Sequence, residues 1–125
     1  MTPRTLVLIA TVVVLIIVAI ALFSHNYVTQ SRYMVSPEEA KHLIKVNPGT
    51  VVLDTRTELE RDVLGYYENS VNLSTETLRL RHPDKKTPII AYCNTGHRAR
   101  TAAEALQDMG YTNAVYITAT YPKLN

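Results

Sequence analysis

A short apolar run leads directly into a polar turn at Pro88-Ile89-Ile90-Ala91-Tyr92-Cys93-Asn94-Thr95-Gly96-His97-Arg98. The apolar part is typical of a buried strand. The alanine-rich segment after the turn, Thr101 to Met109, predicts a helix that Gly110 ends. Because a turn between a strand and a helix lies at the carboxyl edge of a parallel sheet, where α/β proteins bind ligands, we expect the functional site in this turn.

Strand and helix patterns alternate through the whole of residues 33–125. Besides the run that begins at Pro88, four segments predict strands: Tyr33 to Val35, Thr50 to Leu53, Val71 to Leu73 and Ala114 to Ile117. Three further helix starts are indicated by capping residues: Ser36 followed by Pro37 and Glu39, Thr57 followed by Glu60, and Ser74 or Thr75. This order predicts an α/β fold with a central, mostly parallel five-stranded sheet flanked by helices.

The composition excludes several classes of function. Thirteen basic and eleven acidic residues give a net charge of +2, which is too balanced for a nucleic-acid surface that works by releasing counterions. The single cysteine excludes an internal disulfide and a CxxC pair. Cys93 and His97 supply only two ligands, which do not make a zinc site, so we expect no metal and no cofactor.

The N-terminal segment has the composition of a membrane helix. Residues Leu6 to Phe23 are apolar apart from Thr11, and at ~1.5 Å per residue they form a helix of about 27 Å, close to the thickness of the bilayer core. We therefore predict a membrane anchor in residues 1–24, a polar linker in residues 25–32 and a soluble domain in residues 33–125. A signal peptide cleaved near Ala21 is the alternative, although this apolar run is longer than such peptides usually have.

The charges that flank the apolar run favour one orientation. Arg4 precedes the run, and the nearest positively charged residue after it is Arg32. Positive residues close to a membrane helix favour the cytoplasmic side, so this bias predicts that the N-terminus lies inside. The domain would then lie in the bacterial periplasm or an equivalent extracytoplasmic space.

The residues around Cys93 suit a reactive thiolate. Backbone N–H groups of the turn and the start of the next helix create a positive potential, and His97 and Arg98 add positive charge. These features favour the thiolate, which is the nucleophilic form of cysteine. A lone cysteine after an apolar strand is more often a small buried hydrophobe, but the polar residues that follow favour the reactive role here. His97 remains open between a role in tuning the site and simple exposure to solvent.

These segments resemble the rhodanese family of sulfurtransferases, and most closely its single-domain, exported members. The resemblance is carried by four segments: Val52 to Arg56, matching a strand that ends in Asp-x-Arg; Gly65 to Leu73; Tyr92 to Arg98, matching the active-site loop; and Ala102 to Tyr111, matching the next helix and its Gly-Tyr end. Together they cover most of residues 33–125. The resemblance implies a rhodanese-like domain behind an N-terminal transmembrane helix.

The resemblance also implies a chemistry. Cys93 would accept a sulfane sulfur from a small anion such as thiosulfate, hold it as a persulfide, and pass it to cyanide or a thiol. Asn94, Thr95, Gly96 and His97 would form the cradle for the outer sulfur. Arg98 would neutralise the anionic donor, with Arg100 assisting if it faces the mouth of the loop. Asp54 and Arg56 would support the loop as a salt-bridged pair at the neighbouring strand end.

Two departures from the family pattern keep alternatives open. Residues 66–70 replace most of the usual middle motif, and Ala119 and Thr120 stand where the family has a Gly-Gly pair. A membrane-tethered module that binds a partner or senses thiol oxidation is therefore the alternative to an enzyme. Cysteine phosphatases are a weaker alternative, because their loop is Cys-x5-Arg whereas Cys93 to Arg98 is Cys-x4-Arg and makes a smaller cradle.

Overall fold

The computed structural model describes residues 2–125, which form one α/β domain behind a long N-terminal helix. The strands are β1 (Val51–Asp54), β2 (Ser70–Val71), β3 (Ile89–Tyr92) and β4 (Ala114–Tyr116). The helices are α1 (Pro3–Thr29), α2 (Pro37–Val46), α3 (Glu58–Leu64), α4 (Thr75–Arg81) and α5 (His97–Asp108), and a 3₁₀ helix spans Tyr121–Leu124. The predicted alternation of strands and helices is confirmed.

Within residues 2–125 the four strands form one parallel sheet in the order β2-β1-β3-β4. The two central strands are buried along their whole length, as expected for strands covered by helices on both faces. All four strands point the same way, so the residues after β1 and after β3 meet at one edge of the sheet. Asp54 lies opposite Tyr92 in this register, which brings Arg56 and Cys93 to the same edge.

The prediction of a fifth strand at Tyr33 to Val35 is wrong. Only Met34 makes a bridge to Tyr116, although the backbone N–H of Val35 donates to the carbonyl of Tyr116. The pairing stops there because Ser36 is the N-cap of α2 and its side chain accepts from the N–H of Glu39. The chain turns into a helix before a second bridge can form.

Helix α1 continues beyond the apolar run and reaches Thr29. The segment predicted as a linker therefore begins with helix, and Val28 is buried against the domain. The hydroxyl of Tyr116 donates to the carbonyl of Val28 at 2.5 Å, and the side chain of Ser31 donates to Glu104. The sequence pattern did not predict this helical extension, because the residues that stabilise it, Tyr116 and Glu104, lie more than 70 positions away.

The buried core is divided between the two faces of the sheet. Leu53, Ala91 and Leu106 belong to the cluster under α4 and α5, whereas Val52 and Ile90 belong to the cluster under α2 and the 3₁₀ helix. Tyr92, Tyr111 and Tyr116 are the largest fully buried side chains of the described residues. Each of these phenol groups donates to a protein oxygen: Tyr92 to Asp54, Tyr111 to the carbonyl of His82, and Tyr116 to the carbonyl of Val28.

Candidate functional site

Cys93 follows β3 and begins the loop that leads into α5. The backbone N–H of Gly96 points at the sulfur and donates to Sγ at 2.9 Å. Gly96 is the N-cap of α5, so the sulfur also lies near the positive end of that helix. The structure therefore brings together the sulfur, an inward N–H group and a helix N-terminus, as the strand-turn-helix pattern predicted.

The conformation of the loop depends on Gly96. Its φ is +100°, a left-handed backbone conformation that costs free energy for any residue with a Cβ. A Cβ at this position would also lie 3.1 Å from the Cα of Thr118, which follows β4. Gly96 thus permits the turn to pack against the backbone of the neighbouring segment.

The thiol is less accessible than the sequence led us to expect. Cys93 is 1% exposed, and it belongs to the buried cluster that contains Leu53 and Ala91. Asn94 and Thr95, the next two residues, are exposed. The sulfur therefore lies at the base of the loop, with the polar side chains of the turn at its rim.

Arg98 lies beside the loop and is bound by a carboxylate. Its two terminal nitrogens donate to the two oxygens of Glu60, each at 2.7 Å. Hydrogen bonds from Arg98 and from the backbone N–H of Thr57 hold the pKa of Glu60 far below its usual range. In this structure the guanidinium of Arg98 is therefore paired with the carboxylate of Glu60.

Asp54 and Arg56 form a buried ion pair at the end of β1. Arg56 Nη2 donates to Asp54 Oδ2 at 2.8 Å, Nε donates to Oδ1 at 3.0 Å, and the backbone N–H of Arg56 donates to the same Oδ1. Burial raises the pKa of Asp54, but the hydrogen bonds from Arg56 and Tyr92 outweigh it and leave the pKa below its ordinary value. The predicted salt bridge is confirmed by these contacts.

Asn94 connects this ion pair to the Cys93 loop. Its side-chain oxygen accepts from Arg56 Nη1 at 3.3 Å, and its side-chain nitrogen donates to Glu60 Oε2 at 2.8 Å. One chain of polar contacts therefore runs from Asp54 through Arg56, Asn94 and Glu60 to Arg98. This chain fixes the exposed side of the loop to β1 and α3.

His97 and Arg100 face α1. The ring of His97 stacks on the ring of Tyr27 with 4.6 Å between the centroids. The guanidinium of Arg100 lies over Tyr27, donates to the carbonyl of Tyr27 and pairs with Glu104. Arg100 therefore does not face the mouth of the loop, because α1 and Glu104 engage it on the flank of α5.

Two cavities flank the loop. One of about 410 Å³ lies between the N-terminal parts of α4 and α5, and its lining includes Leu73, His97 and Arg98. The other, of about 350 Å³, separates the loop from α1 and is lined by Ser24, His25, Val28, Thr95 and His97. Among residues 2–125 no group of three or more His, Cys, Asp and Glu side chains is arranged to hold a metal ion.

Several residues of this site could not be selected from the sequence. The capping role of Glu60 was predicted from its position three residues after Thr57, and its Oε1 accepts from the N–H of Thr57. Its contact with Arg98 spans 38 positions, so no local pattern indicates it. Asn72 donates to the carbonyls of Asp54 and Arg56. Tyr27 lay in the segment predicted as a linker, where no pattern marked it.

A rhodanese-like domain model matches residues 36–120. No curated protein sequence matches the chain. Among solved structures, a rhodanese-related protein from Thermoplasma volcanium is 24% identical with a TM-score of 0.57, over 73% of this chain and 88% of that one. The human single-domain sulfurtransferase TSTD1 is 18% identical with a TM-score of 0.59, over 74% and 95% of the two chains.

A third solved structure, the polysulfide-sulfur transferase homodimer of Wolinella succinogenes, is 25% identical with a TM-score of 0.53, over 68% of this chain and 66% of that one. The fold described above is therefore the α/β fold of these solved structures. Because the family match spans more than half of the sequence, the chain belongs to the rhodanese-like domain family. The resemblance drawn from the Cys93 loop is confirmed.

Proposed function

We propose that this protein is a membrane-anchored sulfurtransferase that carries a sulfane sulfur on Cys93. The observation that carries the proposal is the N–H of Gly96 at 2.9 Å from Sγ, in a loop at the carboxyl edge of the sheet. A donor in this position stabilises negative charge on sulfur without reorganisation, as preorganised backbone donors do in other enzymes. The names of the solved relatives support the same class of reaction.

The reaction consists of two displacements at sulfur. The Cys93 thiolate attacks the sulfane sulfur of thiosulfate, so the new S–S bond forms as the bond to the sulfonate sulfur breaks and sulfite leaves with its electron pair. Cyanide or a thiolate then attacks the outer sulfur of the persulfide, and the Cys93 thiolate leaves. Thiocyanate or a new persulfide is the product, and no external oxidant or reductant is needed.

Each neighbouring residue has a distinct role in this proposal. Gly96 holds the charged sulfur, while Asn94 and Thr95 form the entrance to the loop. Arg98 binds the donor anion in competition with Glu60, since both are anionic partners for one guanidinium. The pair of Asp54 and Arg56 holds the loop in place through Asn94.

The long apolar helix supports the membrane part of the proposal. Pro3–Thr29 is long and apolar enough to cross a bilayer. The burial of Val28 and the contacts of Tyr27 join this helix to the domain, which favours an uncleaved anchor over a removed signal peptide. With Arg4 on the cytoplasmic side, the domain lies in the periplasm or an equivalent space.

The burial of Cys93 supports a second candidate function. A sulfur that is 1% exposed could serve a module that binds a partner or reports thiol oxidation, with little turnover. The two candidates differ in what the thiol does when a sulfur donor is added. The enzyme requires the loop to admit thiosulfate, whereas the module does not.

The test uses the full chain in detergent micelles or nanodiscs. Thiosulfate is added and the intact mass is measured; the enzyme predicts a protein heavier by one sulfur atom, followed by thiocyanate when cyanide is added. Cys93→Ser is the control, and because Cys93 is the single cysteine, it removes every thiol. A folded, reduced protein that neither gains sulfur nor forms thiocyanate would favour the module.

A further inference from the structure

The contacts between α1 and the domain define which side of the domain faces the bilayer. Along α1 and the turn after it, the contacts move steadily along α5. Ser24 and His25 lie across a cavity from Thr95 and His97. Tyr27 stacks on His97 and shares a hydrogen bond with Thr101, and Ser31 donates to Glu104.

This order shows that α1 and α5 run in the same direction. Helix α5 begins at the Cys93 loop, so the part of α1 before Ser24 extends past that loop and away from the domain. The part that extends is the apolar run, which ends at Phe23, next to Ser24. A bilayer around this run would therefore lie on the side of the domain that holds the carboxyl edge of the sheet.

Helix α3 lies across the same edge. Its first turn is held by the Glu60 contacts to Arg98, and Arg61 donates to Asp54 at the end of β1. Just after its last residue, the carbonyl of Gly65 accepts from Arg56. Both ends of α3 are thus tied to residues that follow β1 or β3.

The outer face of α3 is apolar and exposed. Leu59 and Val63, one helical turn apart, are each 71% exposed, and Leu64 and Tyr66, which follow them along the chain, are also exposed. Tyrosine beside aliphatic residues is typical of segments at the boundary between headgroups and acyl chains. An exposed apolar patch on a small domain commonly marks an interaction site.

We propose that the apolar face of α3 rests on the bilayer, so that the Cys93 loop opens toward the membrane surface. The occupant is the lipid surface itself, because α1 places the bilayer on the side of the domain where α3 lies. The proposal rests on the membrane anchoring proposed above and is independent of the persulfide chemistry. Combined with the sulfur transfer proposed above, it implies that donors and acceptors of sulfur reach Cys93 along the membrane.

The chain contains no tryptophan, so one introduced tryptophan serves as a specific reporter. Leu59→Trp is placed on the outer face of α3. Leu80→Trp is the matched control, because Leu80 is 72% exposed near the end of α4. Since α4 begins at the carboxyl edge and returns toward β3, its end lies on the opposite side of the domain. Val63→Trp is a second reporter if Leu59→Trp folds poorly.

The full chain is reconstituted in vesicles that contain phospholipids brominated near the top of the acyl chain, which quench nearby tryptophan. We expect Leu59→Trp to lose roughly half of its emission, since residues at this boundary lie within the reach of the bromine atoms, and Leu80→Trp to lose little. Equal quenching of the two variants would overturn the proposal. Emission of Leu59→Trp that is blue-shifted but not quenched by brominated lipid would also overturn it, by assigning this face to a protein surface.

A third reporter separates this inference from the anchor itself. Val14→Trp lies in the middle of the apolar run and is quenched by phospholipids brominated near the end of the acyl chain if α1 spans the bilayer. Quenching of Val14→Trp without preferential quenching of Leu59→Trp would overturn only the orientation of the domain. A Val14→Trp variant that is not quenched would overturn the anchor, and the orientation with it.

Discussion

Replacing Gly96 with alanine is the most direct test of the loop geometry. Gly96 has a φ of +100°, and an added Cβ would lie 3.1 Å from the Cα of Thr118. The left-handed conformation costs a residue with a Cβ about 1–2 kcal/mol. Gly110→Ala is a matched control, because Gly110 has the same φ of +100° but its Cβ would meet only the side chain of Lys85, at 3.8 Å.

Both variants should therefore lose about 1–2 kcal/mol of stability from the backbone conformation, and Gly96→Ala should lose more because a backbone atom cannot move aside. Only Gly96→Ala also displaces the N–H that donates to Cys93 Sγ. A hydrogen bond to a charged group is worth roughly 1.5–3 kcal/mol. At 1.36 kcal/mol per factor of ten, its loss slows the formation of the persulfide by about tenfold to a hundredfold.

Stability is measured by urea denaturation of the full chain in micelles, followed by the emission of the eight tyrosines. The rate of persulfide formation is measured from intact mass at short times after thiosulfate is added. We expect Gly110→Ala to react at the rate of the unmodified protein and Gly96→Ala to react much more slowly. If the folded fractions of the two variants reacted at the same rate, the N–H of Gly96 would have no role in holding the sulfur.

Three further predictions concern the contacts around the loop. Asp54→Asn should lower the free energy of unfolding by roughly 3–5 kcal/mol, because it leaves Arg56 buried without its carboxylate, and an unchanged urea midpoint at neutral pH would contradict the buried pair. Since the pKa of Asp54 is lowered in the folded protein, the stability that this residue contributes is present above about pH 4 and is lost as the pH falls through that lower pKa. Glu60→Gln keeps the helix cap but removes the charge that balances Arg98, so the KM for thiosulfate should fall at low salt. Glu58→Gln, on the same turn, should leave the KM unchanged, and equal KM values for the two variants would show that Arg98 does not bind the donor. Tyr27→Ala removes the stack on His97 and the contact with Thr101, so proteolysis between residues 24 and 35 should become faster, with a smaller effect for Tyr27→Phe. Equal rates of cleavage in the unmodified protein and both variants would mean that Tyr27 does not hold α1 against the domain.

The sequence was sufficient for the features that depend on local pattern. The buried strands, the capping residues of α2, α3 and α4, and the turn after β3 follow from the spacing of apolar residues and from side chains that bond to the next backbone turn. The ion pair of Asp54 and Arg56 was also accessible, because the two residues are two positions apart.

The features that the sequence did not reveal depend on partners distant along the chain. The pairing of Arg98 with Glu60 was not predicted, because the two residues lie 38 positions apart and only the fold brings them together. The sequence left open whether Arg100 faces the mouth of the loop, and in the structure Arg100 instead contacts α1 on the flank of α5. Tyr116 and Arg100 also stabilise the end of α1 within the predicted linker, because they donate to the carbonyls of Val28 and Tyr27. The sequence of this helix end has little helical pattern of its own.

The buried phenols of the core have a consequence at alkaline pH. Burial raises the pKa of Tyr92 and of Tyr116, so both groups keep their protons in the folded chain beyond the pH, near 10, at which a solvated tyrosine loses its own. The unfolded chain then binds fewer protons than the folded one, and each further rise in pH favours unfolding. Two of the largest fully buried side chains of the described residues thereby set an upper limit to the alkalinity that the domain tolerates.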